Sequence, residues 1–275
     1  KEQKEQAEDA TAFLNWMLNN RFTFLGYDEI SITDGTVSRV PGCELGILKS
    51  KKSSDKMKEY PFDDLRAAEQ AFMLEPSVIM FAKDAHYSHV HRPAYMDRVI
   101  IKRFDAKGNV TGKCRIYGLY TSPVYSESIT TMPVMQRKAE RVLKRSGFDS
   151  RSHNGKELMQ IMNDLPRNEL MLSTEDELLE LSMGIFSLHD RRRIRLLYRQ
   201  DRCNQFATFL YYVPRDIFNT ALRMKVQALL AKACGSSDVG FTTTFSESIL
   251  ARVHFVLRLD PDNPVEVDLA ELESA

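Results

Sequence analysis

The densest group of chemically capable side chains is Lys83, Asp84, His86, His89, His91 and Arg92, directly after an apolar run. Three neutral imidazoles could hold zinc, and His89 and His91 would point the same way on an extended segment. His86 falls out of phase with them, and no acidic or thiol ligand stands at a tight spacing, so no metal site is expected. Alternatively, Lys83, His91 and Arg92 could grip the carboxylate of an amino acid, or a phosphate, through charge-assisted hydrogen bonds. The simplest expectation is a solvated loop whose histidines bond to backbone carbonyls.

Other clusters have plainer readings. Arg191, Arg192, Arg193, Arg195, Arg199 and Arg202 form the strongest basic run, which could meet RNA or an acidic partner. Arg193, Arg195 and Arg199 alternate with Ile194, Leu196 and Tyr198, the pattern of the wet face of an edge strand, where charge also discourages stray pairing. The aromatics Tyr198, Phe206, Phe209, Tyr211 and Tyr212 read as core or interface residues rather than base-stacking platforms. Thr121, Ser122, Ser126 and Ser128 surround Pro123 and fit a turn held by side-chain to backbone bonds.

What is missing is equally informative. The twelve glycines never fall as G-x-G-x-x-G, and there is no P-loop and no G-x-S-x-G elbow. A self-contained NAD enzyme is disfavoured, and no catalytic residue, cofactor or metal is assigned to this chain. With 38 basic and 38 acidic side chains, the chain has no net field to draw it to nucleic acid or an anionic membrane. No apolar run is long enough to span a bilayer. The four cysteines, Cys43, Cys114, Cys203 and Cys234, lack ligand spacing and read as buried thiols in a reducing compartment. A soluble, cytoplasmic protein is the expectation. Both ends look excised: no initiator Met, and an uncapped acidic helical pattern from Val265.

The elements that would position these residues give an α+β organisation of three parts. Residues 1–132 read as a PAS-like or GAF-like domain: a helix from Glu5 to Asn20, strands over Phe22–Tyr27, Ser77–Ala82, Arg98–Phe104 and Lys113–Tyr120, and a sheet covered on one face. Lys49–Lys58 is a polar loop. Residues 133–188 form a helical connector, its last helix opening on a Thr174/Glu177 capping box. Residues 189–275 follow the order strand, helix, strand, strand, helix, after an extra strand at Ile194–Arg199. That is the ferredoxin-like order of ACT domains without its final strand.

Six stretches in register carry a family resemblance: Phe22–Tyr27, His91–Asp97, Tyr117–Ser122, Ser152–Lys156, Leu165–Leu170, and Tyr212–Asp216 with Asn219 and Thr220. Together they resemble the amino-terminal half of the large bacterial NAD-specific glutamate dehydrogenases. The resemblance implies ACT-like and PAS-like modules, with the dehydrogenase domain far downstream in the same polypeptide. It implies a parent enzyme that deaminates L-glutamate to 2-oxoglutarate and ammonia with NAD. The rest of the parent chain, other subunits of a homo-oligomer and an amino-acid effector are the partners it suggests. A stand-alone amino-acid sensor built from the same modules is the alternative.

Overall fold

The computed structural model describes residues 2–49, 59–188, 192–246 and 248–274. Most of the polar loop expected at Lys49–Lys58, and Arg191, therefore lie outside the described residues. The chain divides into two compact units, Lys1–Arg137 and Lys138–Ala275.

The first unit opens with α1 (Glu2–Leu18), a run without Gly or Pro. Phe13, Trp16 and Met17, spaced to share one helix face, are buried; each contributes about 1.5–3 kcal/mol by leaving water. Asn20, at φ 59°, takes the left-handed turn that releases the chain into the sheet. β1 (Phe22–Thr33) then runs six residues beyond the expected strand. Its length follows from the turn: Asp34 and Gly35 both have positive φ, as a two-residue hairpin requires, so pairing with β2 (Thr36–Arg39) continues to Thr33↔Thr36. Two-residue strands β3 (Leu45–Gly46) and β4 (Tyr60–Pro61) follow, then α2 (Ala67–Leu74).

β5 (Ile79–Ser88), β6 (Ala94–Phe104) and β7 (Val110–Tyr120) complete the sheet. Its order is β4-β2-β1-β7-β6-β5, β3 also pairs with β1, and every ladder is antiparallel. A side chain at Gly118 would put its Cβ 2.1 Å from the Thr23 carbonyl oxygen, so this close approach beside the β1 bulge admits only glycine.

Strand alternation sorts the two faces. On one, α1 packs through Phe13 against Phe81, with ring centroids 5.0 Å apart, and Trp16 lies 6.4 Å from Tyr120. Here α3 (Ser122–Ser126) follows β7, and Glu127 accepts from Trp16 Nε1 at 3.2 Å and Arg21 Nε at 2.8 Å. The hydroxyl-rich segment is a turn: Thr121 donates to the Asn20 carbonyl at 2.6 Å, and Ser128 accepts from the Thr130 amide at 3.3 Å. On the opposite face, Met73 of α2 meets Ile30 and Val37, and Lys102 donates to the carbonyls of Phe72 and Glu75 at 2.7 and 2.5 Å. Helices thus cover both faces, not one, because the segment between β4 and β5 crosses to the side opposite α1.

The second unit begins within α4 (Met135–Ser146), which Gly147 ends at φ 80°. α5 (His153–Asp164) is capped by Ser152, whose hydroxyl accepts from the Gly155 amide at 3.0 Å. α6 (Arg167–Leu172), which the sequence reading did not anticipate, precedes α7 (Glu175–Phe186) with its capping box between Thr174 and Glu177. β8 (Arg195–Gln200), β9 (Phe206–Pro214), α8 (Thr220–Ala233), β10 (Val239–Phe245), β11 (Leu250–Arg258) and α9 (Leu269–Ser274) follow.

This sheet runs β10-β11-β9-β8, entirely antiparallel, so β11 lies between β9 and β10 as a split βαβ unit demands. The expectation of a sheet short of one strand is corrected here. A ferredoxin-like last strand would return to the free edge of the first; that edge, on β9, is occupied by β8. One sheet face packs Phe209, Tyr211, Val253, Phe255 and Leu257 against Leu230 and Cys234 of the α8 segment.

The other face is not wet, as the alternating arginines suggested. Arg199 is buried, and so are Thr208 and His254 on neighbouring strands. All three meet Glu169 of α6: Arg199 Nε at 2.7 Å, the Thr208 hydroxyl at 3.0 Å and His254 Nε2 at 3.0 Å. Lys138 of α4, also buried, donates to the carbonyls of Leu170, at 2.7 Å, and Ser173. The helices read as a connector are the layer that closes this face.

Candidate functional site

The group Lys83 to Arg92 is not a loop throughout; β5 carries it as far as Ser88, and alternation divides it. Lys83 falls on the α1 face, where its Nζ meets Asp97 Oδ1 at 2.6 Å and the Tyr95 carbonyl at 3.3 Å. Asp84 falls on the α2 face. His86 turns back on it, its amide donating to Asp84 Oδ1 at 2.8 Å and its Nδ1 lying 2.6 Å from the same oxygen. His91, exposed at the β5–β6 turn, has φ 70°. Arg92 donates to the Tyr120 carbonyl at 3.1 Å and the Tyr125 hydroxyl at 3.0 Å. Lys83 and Arg92, expected in an anion pocket with His91, are thus engaged by different partners. Among the described residues no three of His, Cys, Asp and Glu are grouped to hold a metal ion.

A more coherent constellation crosses the α2 face of the first sheet. Asp28 on β1 is fully buried and takes a bidentate pair from Arg115 on β7, Nε at 2.7 Å and Nη2 at 2.5 Å; Arg39 on β2 adds a third contact at 3.2 Å. Tyr117 follows Arg115 on the same face and pairs in register with Arg98 on β6. Arg98 Nη1 reaches Asp84 Oδ2 at 3.4 Å, while its Nε is buried without a hydrogen-bond partner. The row thus reads Arg39, Asp28, Arg115, Tyr117, Arg98, Asp84, with exposed His86 at its end.

Electrostatics tie the row together. Burial, the largest single influence, pulls the Arg115 guanidinium down, but its hydrogen bond to Asp28 and the fields of Tyr117, Asp28 and Asp84 together outweigh it and raise its pKa. Burial raises the Tyr117 hydroxyl, opposed by Arg115 and Arg98 and assisted by Asp28 and Asp84. Tyr117 thus stays a neutral phenol between two cations and two anions. Such an arrangement offers guanidinium donors to a carboxylate beside a carboxylate that can receive an ammonium, the chemistry of a zwitterion.

Of the row, only Asp84 and His86 stood out in the sequence. Arg98 and Arg115 look like ordinary outward residues of alternating strands. The signal that could have found them is the hairpin at Asp105–Asn109, which fixes the register and sets Arg98 opposite Tyr117.

Two of the four cysteines, Cys43 and Cys114, are only half-buried, against the expectation that all would be core thiols; all four are free. Among the described residues no helix is long and apolar enough to cross a membrane.

Comparison with known proteins defines the class first: residues 195–275 match the ACT2 domain of glutamate dehydrogenase, and residues 132–191 match its helical motif 1. The chain is 40% identical over 98% of its length to an NAD-specific glutamate dehydrogenase of Pseudomonas aeruginosa, and 38% identical over 96% to one of Halomonas elongata. A Mycobacterium tuberculosis enzyme of the same name is 26% identical over 92%. The chain belongs to the NAD-specific glutamate dehydrogenase family. It spans 17% of the length of the first two relatives and 14% of the third.

Proposed function

We propose that this chain is a non-catalytic regulatory and assembly segment from the amino-terminal part of a large cytoplasmic NAD-specific glutamate dehydrogenase, whose parent polypeptide deaminates L-glutamate to 2-oxoglutarate and ammonia. NAD would be held elsewhere in that polypeptide. The observation that carries this reading is the antiparallel pairing of every strand in both sheets. Dinucleotide sites of the Rossmann type need parallel βαβ units that feed a glycine-rich turn into a helix. The ACT2 match, and a first unit whose antiparallel sheet carries helices as PAS-like domains do, support a sensing role.

Within that role the row centred on Tyr117 is the effector site, and a free amino acid the class of ligand. Its carboxylate would take the unspent Arg98 Nε, and its ammonium would face Asp84. Differential scanning fluorimetry across the twenty amino acids tests this: a ligand at a hundred times its Kd should stabilise the chain by about 2.7 kcal/mol. Arg98→Met should abolish the shift. A shift that survives Arg98→Met, or none with any amino acid, would overturn the assignment.

A further inference from the structure

The two edges of the second sheet are treated differently. At the β8 edge, Glu273 of α9 accepts the Leu196 amide at 2.7 Å and pairs with Arg195 at 3.3 Å, so this edge is partly covered and charged. β10 has no such guard. Its sequence, Val239-Gly-Phe-Thr-Thr-Thr-Phe245, holds no charge and no proline, and no described strand pairs with its outer side. Natural edges are normally blunted by one of these devices.

The register defines what the edge offers. The Arg258 amide bonds to the Asp238 carbonyl, and in the antiparallel ladder that follows Gly240, Thr242 and Thr244 face β11. Val239, Phe241, Thr243 and Phe245 therefore turn their amides and carbonyls outward. Phe241 and Phe245 extend the apolar face packed by α8 but remain 47% and 58% exposed. The core of this unit runs out to the edge and stops uncovered.

Charge decides what can cover it. Arg223 stacks on Phe241 with its guanidinium carbon 4.0 Å from the ring centroid, and Arg215 on Phe245 at 5.6 Å. No described carboxylate forms an ion pair with either. A second copy pairing antiparallel through its own β10 would gather four arginines on the α8 face of one seam, where β10 holds no described acid because Asp238 falls in step with Gly240 and Thr242 on the other face, and like charges juxtaposed at an interface cost several kcal/mol.

We infer that β10 is a docking edge for an extended segment of a different sequence, one whose every second side chain, the set that lands on the α8 face, alternates apolar with acidic. Its backbone extends the sheet, its apolar side chains cover Phe241 and Phe245, and its carboxylates pair with Arg215 and Arg223. The edge lies in the second unit and does not depend on the effector row of the first.

Two fluorescein-labelled nonapeptides, Thr-Val-Thr-Glu-Thr-Val-Thr-Glu-Thr and the same sequence with Lys in place of Glu, put Val and the charged residue on one face and test this by polarisation with the full 275-residue chain. The Glu peptide should bind at least about tenfold more tightly than the Lys peptide, and should weaken steeply with added salt. Arg215→Glu with Arg223→Glu should reverse the preference. Thr243→Pro removes only an outward amide, so it should abolish binding while the circular dichroism spectrum and Tm stay unchanged. No binding of the Glu peptide, or equal binding of both, would overturn the inference. So would sedimentation showing a dimer that Thr243→Pro dissociates, since a second copy would then occupy the edge.

Discussion

Both units bury a lysine against the carbonyls at the end of a short helix, yet they use buried charge differently. In the first, Lys102 holds the end of α2; in the second, Lys138 holds the end of α6. Around Glu169 the second unit closes its network: Arg199, Thr208 and His254 converge on one carboxylate, and helix α6 is fastened to three strands. Across the first sheet the charges form an open row, with a buried Arg98 Nε unspent and His86 in solvent. A closed network fixes a layer, because each member is satisfied within the fold. An open row retains unmet hydrogen-bonding capacity that a ligand can use.

Removing the central carboxylates should separate the two behaviours. Glu169→Ala leaves Arg199 charged and buried, so a loss of roughly 3–5 kcal/mol in chemical denaturation is expected. Asp28→Asn should cost less, about 1–3 kcal/mol, because Arg115 keeps 16% of its side chain in contact with solvent. Equal losses would mean that the row is as closed as the network.

The finest distinction is in pH. Burial pushes the Lys138 amine down to about 7 from its ordinary 10.5, with Arg199 pressing the same way and Glu177 opposing. Between these values the unfolded chain holds a proton that the folded chain has released, so stability should rise with pH across that window. Lys138→Met should flatten that rise in denaturant titrations at pH 7 and pH 9.5, whatever it does to absolute stability. An unaltered slope would show that Lys138 remains an ammonium, held by its carbonyl acceptors.

Much of the fold was legible because its signals are local. The alternation from Ala251 to Leu259, the Thr174/Glu177 box, the left-handed Gly147 and the Asp34-Gly35 turn each follow from a few adjacent residues. Layer assignments were less accessible. Arg199 alternates as a wet-face residue would, and only α6, thirty residues earlier, turns that face into an interior. α6 itself was missed because it is a single short helix behind Pro166. In the site, the dense run Lys83–Arg92 attracted notice by proximity along the chain, whereas a strand sends adjacent side chains to opposite faces. The row it partly hid is assembled from β1, β2, β5, β6 and β7, each contributing one or two members, so sequence density could not reveal it.

The placement of β8 bears on how the second unit acquires its structure. A strand returning to that edge after α9 would have to close a loop across the whole βαββ unit. β8 instead joins β9 through the tight turn at Asp201–Gln205, so its pairing is a hairpin between neighbours in the chain. Contacts of short sequence separation form early and lower the entropic barrier to assembly. As the chain leaves the ribosome, β9 meets its edge partner already synthesised, and β8 covers one side of a strand that would otherwise wait, bare on both edges, for β11.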